Sequence, residues 1–77
     1  MSCALEGNDR TVIFTYHSED HVEVYERDRY GRTYKLQDKD APSARVFYNH
    51  LLLGKYTHSS KSSASTIEAM SKSEPLE

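Results

Sequence analysis

The chain has 77 residues and a mass of 8.9 kDa, so one domain is its ceiling. Hydrophobic residues make up 36%, charged residues 29%, and the formal net charge is -2. That balance excludes both a basic protein that coats nucleic acid and a strongly acidic mimic of it. The longest apolar run, Leu51-Leu52-Leu53, falls far short of the ~20 residues of a membrane span, so no membrane partner is expected. Residues 1–6 carry neither a basic nor an apolar signal segment, and the single cysteine, Cys3, cannot form an internal disulfide. A cytoplasmic, reducing location is therefore the expectation.

Residues 1–10 are short and polar and read as a flexible N-terminus. Residues 11–17 are β-branched and aromatic, which suits a strand. Residues 21–27 and 32–37 alternate apolar with polar and read as a second and a third strand. The period then changes: Ala44, Phe47, Tyr48, Leu51 and Leu52 make a helical stripe within residues 41–53. Asp40 is placed to cap that helix, Pro42 is tolerated in its first turn, and Gly54 suits a left-handed position past its end. Residues 57–77 are rich in Ser and Thr and hold no aromatic residue, so they read as a mostly disordered tail. Within it, Ser65-Thr66-Ile67-Glu68 has capping-box spacing and predicts a short helix over 66–72. The final Leu76-Glu77 could be a cloning remnant. The expected fold is α+β: a three-stranded antiparallel meander over 11–56 with one C-terminal helix on one face and a Ser-rich tail.

Turn lengths set the register. A three-residue loop commonly places glycine last, in a left-handed bulge position, and Arg29-Tyr30-Gly31 fits that rule. It pairs Asp28 with Arg32, Glu26 with Tyr34, and Val24 with Leu36. A first loop at Ser18-Glu19-Asp20 pairs His17 with His21, Tyr16 with Val22, and Phe14 with Val24. Both loops put Val12, Phe14, Tyr16, Val22, Val24, Tyr34 and Leu36 on the face that meets the helix. A one-residue slip would send half of them to the other side. Glu26 is the odd acid on that face, and a base such as Arg10 or Arg45 is its expected partner. The outer face then carries the rows Thr11-Arg27-Thr33, Ile13-Tyr25-Lys35 and Thr15-Glu23-Gln37, plus the His17/His21 pair.

No catalytic set follows from the sequence, and none is expected. Cys3 has no neighbour in sequence that would lower its pKa, Ser43 suits a helix first turn, and Glu23 and Glu26 point to opposite faces. The glycines Gly7, Gly31 and Gly54 are isolated, so there is no phosphate-cradling loop. His17 and His21 face each other across a turn, with Cys3, His50 and His58 elsewhere as further ligand types. No Cys-x-x-Cys or His-Glu-x-x-His spacing accompanies them, so no metal and no cofactor is expected. A pair of facing imidazoles could also make the turn sensitive to pH.

Two binding readings remain. Arg27, Arg29, Arg32 and Lys35 interleave with Tyr25, Tyr30 and Tyr34, a mixture suited to phosphate contact and base stacking. The β-β-β-α order resembles that of small sheet-based DNA readers of plants and of the arm-binding domains of phage integrases. That likeness is one of element order and carries over no functional position. Against it, residues 11–56 hold as many acids as bases. The favoured expectation is a small protein-binding module, an adaptor, regulator or inhibitor. It would dock a protein partner, or a second copy as a homodimer, through the outer face or an edge strand. Ile13, Tyr25, Arg27, Tyr30 and Lys35 are its candidate contact residues, since exposed Tyr and Arg are common interface anchors. Small inhibitors encoded by phages and mobile elements share this scale and lack of catalytic motifs. The Ser-rich tail would serve as a tether, a phosphorylation target or an inert extension.

Overall fold

The strands and the helix follow one another as β1 (Ser2–Glu6), β2 (Thr11–Ser18), β3 (His21–Arg27), β4 (Thr33–Lys39), α1 (Ala41–Leu53) and β5 (Thr57–His58). This computed structural model describes residues 2–58 together with Thr66, Glu68 and Ala69. The strands form one antiparallel sheet in the order β4-β3-β2-β1-β5, and α1 packs on one face. Among the described residues, no helix is long and apolar enough to cross a membrane.

The α+β class, the central meander and the helix bounds agree with the sequence pattern, and the three-stranded count does not. Residues 2–6, expected to be flexible, form β1. Cys3 and Leu5 are buried while Ser2 and Glu6 are exposed, the alternation of a half-buried strand. Strand β1 pairs to β2 along its whole length and to β5 at Leu5 and Glu6. Thr57 and His58, expected to open the tail, are the strand that closes this edge. The sheet order thus departs from the β-β-β-α likeness, which accounts only for β2 to α1. Of the expected helix at 66–72, Thr66, Glu68 and Ala69 are helical and the other positions lie outside the described residues. Thr66 is buried and donates from its hydroxyl to the Ser2 carbonyl at 3.1 Å.

The helix starts and stops as its ends require. Asp40 accepts a hydrogen bond from the Ser43 amide at 2.9 Å, and Pro42 sits in the first turn where its missing N–H is harmless. At the other end Gly54 donates to the carbonyls of His50 and Leu51. Gly54 itself is not left-handed, with φ -90; Lys55 takes that conformation instead, with φ 76. The left-handed turn therefore comes one residue later than expected.

Ala41, Ala44, Tyr48 and Leu51 of α1 meet Cys3, Leu5, Val12, Phe14, Val22 and Val24 of the sheet. The Phe14 ring lies 5.8 Å from Phe47 and 5.5 Å from Tyr48, both in tilted or edge-on geometries that favour aromatic pairs. An α-helix with its side chains is about 10–12 Å across and strands are about 4.8 Å apart, so one helix covers two or three strands of five. The two edge strands, β4 and β5, are left bare, and β4 is the longer of them. Its residues 33–38 are all exposed, including Tyr34 at 45% and Leu36 at 41%, which parity assigned to the core. Tyr16, also assigned there, is half-buried against the core.

Candidate functional site

Both hairpin registers match the turn arithmetic over most of their length, and both depart from it at the same corner. In β2 and β3, Ile13 faces Tyr25, Phe14 faces Val24 and Tyr16 faces Val22. The next pair is Ser18 with His21, so the turn is the two residues Glu19-Asp20 and the extra residue falls at His17 as a bulge. In β3 and β4, Glu26 faces Tyr34 and Tyr25 faces Lys35, as the Arg29-Tyr30-Gly31 loop requires. Gly31 has φ +84, the left-handed conformation expected of it. Then Val24 faces Gln37, not Leu36, and Glu23 faces Asp38, not Gln37. Leu36 is the bulged residue.

The second bulge changes the chemistry of the outer face by replacing an amide with a carboxylate. Lys35 Nζ lies 3.0 Å from Glu23 Oε2 and 2.8 Å from Asp38 Oδ1, bridging the two. His17 Nε2 is 2.7 Å from Glu23 Oε1, and His21 Nε2 is 3.2 Å from Asp38 Oδ1. The two imidazoles stack with centroids 4.7 Å apart and planes inclined by 22°. The bonds from His17 and then Lys35 bring the Glu23 carboxyl down to about 2. Lys35, then His21, likewise holds Asp38 below the usual carboxylate range. The bonds to Asp38 and Glu23 raise the Lys35 ammonium in turn. Partial burial, then the neighbouring Glu23 charge and a hydrogen bond to it, push the Tyr25 phenol up. Five ionisable groups from three strands thus form one connected network, which combines charged and aromatic chemistry on an otherwise open face.

The expected contact residues are spread along this face. Ile13, Tyr25 and Lys35 do share one row across three strands, with Ile13 and Tyr25 half-buried. Arg27 is exposed at the next row and donates from Nε to Thr33 Oγ1 at 3.2 Å. Tyr30 stands at the hairpin tip, 70% exposed, with the guanidiniums of Arg29 and Arg32 at 5.2 and 5.5 Å from its ring. Asp28 organises that tip by accepting from the amides of Tyr30 and Arg32, each at 3.0 Å, and from Arg32 Nε at 3.1 Å. Of the basic set Arg27, Arg29, Arg32 and Lys35, therefore, Lys35 and Arg32 are already matched to carboxylates. Neither a protein-family model, nor a curated protein, nor a solved structure matches this chain.

The remaining chemistry-bearing residues lie apart from this corner. Cys3 is buried in the core, and that burial pushes its thiol up to about 11. His58 is hydrogen-bonded to the Tyr48 hydroxyl on the helix side, and His50 is exposed on α1. Neither these two histidines nor Cys3 joins His17 and His21. Glu26 is 8% exposed; it accepts from the Tyr34 hydroxyl at 2.6 Å and pairs with Arg10 at 3.4 Å, one of the two bases expected to reach it. Sequence reasoning missed Glu23 and Asp38 as partners of the histidines. Alternation signalled Glu23 on that face, but nothing local signals the bulge that turns Asp38 toward it.

Proposed function

We propose that this chain is a small non-catalytic protein-binding module that docks through the free edge of β4. The observation that carries this reading is the bareness of that strand. It is hydrogen-bonded to β3 alone, it lies at the end of the sheet, and Tyr34 and Leu36 sit uncovered beside the helix-packed core. An unpaired edge with apolar side chains is a template for one more strand. A second copy is the occupant whose chemistry fits most simply. Antiparallel pairing of two β4 strands about Leu36 sets Leu36 opposite itself, Lys35 opposite Gln37, Tyr34 opposite Asp38 and Thr33 opposite Lys39. No like charges then meet directly, and the contact is self-complementary as a two-fold dimer requires. The Ile13-Tyr25-Lys35 row, with Arg27 and Tyr30, borders this edge as the further contact surface.

Sedimentation equilibrium of the wild type and of Leu36→Asp tests the reading. The wild type is expected to dimerise and Leu36→Asp to remain a monomer with an unchanged circular dichroism spectrum. A wild type that stays monomeric and shows no binding partner lost on Leu36→Asp overturns it. The second reading, nucleic-acid binding at the Arg29-Tyr30-Gly31-Arg32 tip, draws on the exposed Tyr30 ring flanked by two guanidiniums. It gains only if affinity for DNA or RNA falls steeply with salt and Arg29→Glu with Arg32→Glu abolishes it.

A further inference from the structure

We propose that the outer-face corner formed by His17, His21, Glu23 and Asp38 is a binding site for a divalent transition-metal ion. This inference is independent of the docking reading. It starts from the two bulges. Without the one at Leu36, Glu23 would face Gln37, and Asp38 would lie on the helix side opposite Val22. Alternation along β2 and β3 places both imidazoles of the first hairpin on the outer side, and beside the bulge at His17 they lie ring against ring. Bulges commonly re-aim a side chain beside a functional site. Here the bulge at Leu36 brings Asp38 to the spot where alternation already holds His21 and Glu23, with His17 beside Glu23.

The donor set has the chemistry of a zinc-type ion, which accepts imidazole nitrogen and carboxylate oxygen. Donor atoms of His21, Glu23 and Asp38 all lie within 4.8 Å of one another. His17 Nε2 reaches to 2.7 Å from Glu23, and His21 Nε2 to 3.2 Å from Asp38. Ligands bound to one tetrahedral ion at about 2.0–2.1 Å are about 3.3 Å from each other. The His21–Asp38 spacing already matches, the His17–Glu23 pair must open by about 0.6 Å from its hydrogen bond, and small side-chain rotations close the rest. The hydrogen bond from Tyr25 to Glu23 is an outer-shell contact that would fix the orientation of that ligand.

Lys35 is the counter-ion in this arrangement. Its ammonium contacts both carboxylates and stands where the metal would sit. Two carboxylates and one ammonium leave one negative charge for the imidazoles or an added cation to offset. A dication supplies that missing charge, and Lys35, with 41% of its side chain exposed on a flexible stem, is free to swing into water. The site is thus one in which a built-in monovalent cation competes with an external divalent one.

The test is calorimetric titration of the untagged full chain with zinc chloride in a non-chelating buffer near pH 7.5. Thermal melting and the imidazole nitrogen resonances are followed alongside. One zinc per chain is expected, with a melting temperature raised by about 10 °C at a hundredfold excess over Kd. The resonances of His17 and His21 move while those of His50 and His58 stay. His17→Ala and His21→Ala each weaken binding at least tenfold. Lys35→Met tightens it, an outcome that a merely structural lysine would not produce. The proposal is overturned if the wild type takes up no zinc, or if His17→Ala with His21→Ala leaves the affinity unchanged. It is overturned equally if zinc binds only after Lys35 is removed, because the ammonium then keeps the site closed.

Discussion

Strands β2 and β4 flank the same strand, β3, carry similar apolar alternation, and meet different fates. In β2, Val12 and Phe14 are sealed under α1; in β4, Tyr34 and Leu36 occupy the corresponding face and remain exposed. The difference is one of position. Helix α1 is a single element laid over β2 and β3 of a five-stranded sheet, and β4 meets it only at Lys39 against Phe47, leaving residues 33–38 exposed. A hydrophobic pattern thus marks which side of a strand is inward, while burial depends on what lies above that side. The same contrast separates the two hairpins' functions. The covered strands hold the fold together, and the bare strand supplies an edge, a lysine and a carboxylate to the surface.

The sharpest way to break this comparison is to truncate one residue on each side of it. Phe14→Ala removes a fully buried ring in contact with Phe47 and Tyr48, and is expected to cost about 3–5 kcal/mol in urea unfolding. Leu36→Ala is expected to cost under about 1 kcal/mol in the monomer, since the side chain is already in water. Equal costs would mean that β4 is covered in solution. A smaller effect is expected from Tyr34→Phe. It leaves the ring and removes the hydroxyl that bonds Glu26, so a buried carboxylate loses one of its partners, at about 1–2 kcal/mol. Tyr34 would then matter through its oxygen while its ring does little.

The smallest effect concerns the outer network and acid. Glu23 titrates near 2 in the folded chain, against an ordinary 4.5. Its carboxylate is bonded first by His17 and then by Lys35. The folded value is the lower one, so the stability that Glu23 contributes is fully present above pH 4.5 and is lost as pH falls toward 2. Glu23→Gln is expected to flatten the acid limb of stability between those values, and added salt to shrink the difference, because the pairs are open to solvent. An unchanged acid limb would mean that the network does not hold in solution.

Local chemistry in the chain determined a good deal of this protein. The period-two runs of β2 and β3, the helical stripe of α1, the Asp40 cap and the left-handed Gly31 all follow from relations between residues a few positions apart. So does the row Ile13-Tyr25-Lys35, because a turn that counts its residues correctly carries the register with it. Strand β1 was not legible, since Cys3-Ala4-Leu5 is an unbroken apolar run in a segment read as flexible, and five residues decide nothing until β2 and β5 are there to pair with them. The tertiary structure alone decided the rest. Whether Leu36 is core depends on the width of one helix against five strands. Whether Asp38 meets Glu23 depends on a skipped residue that costs the backbone one irregular pair, and which neighbours compensate it lies across the sheet. Such choices are made by contacts between distant residues, which a pattern of near neighbours does not contain.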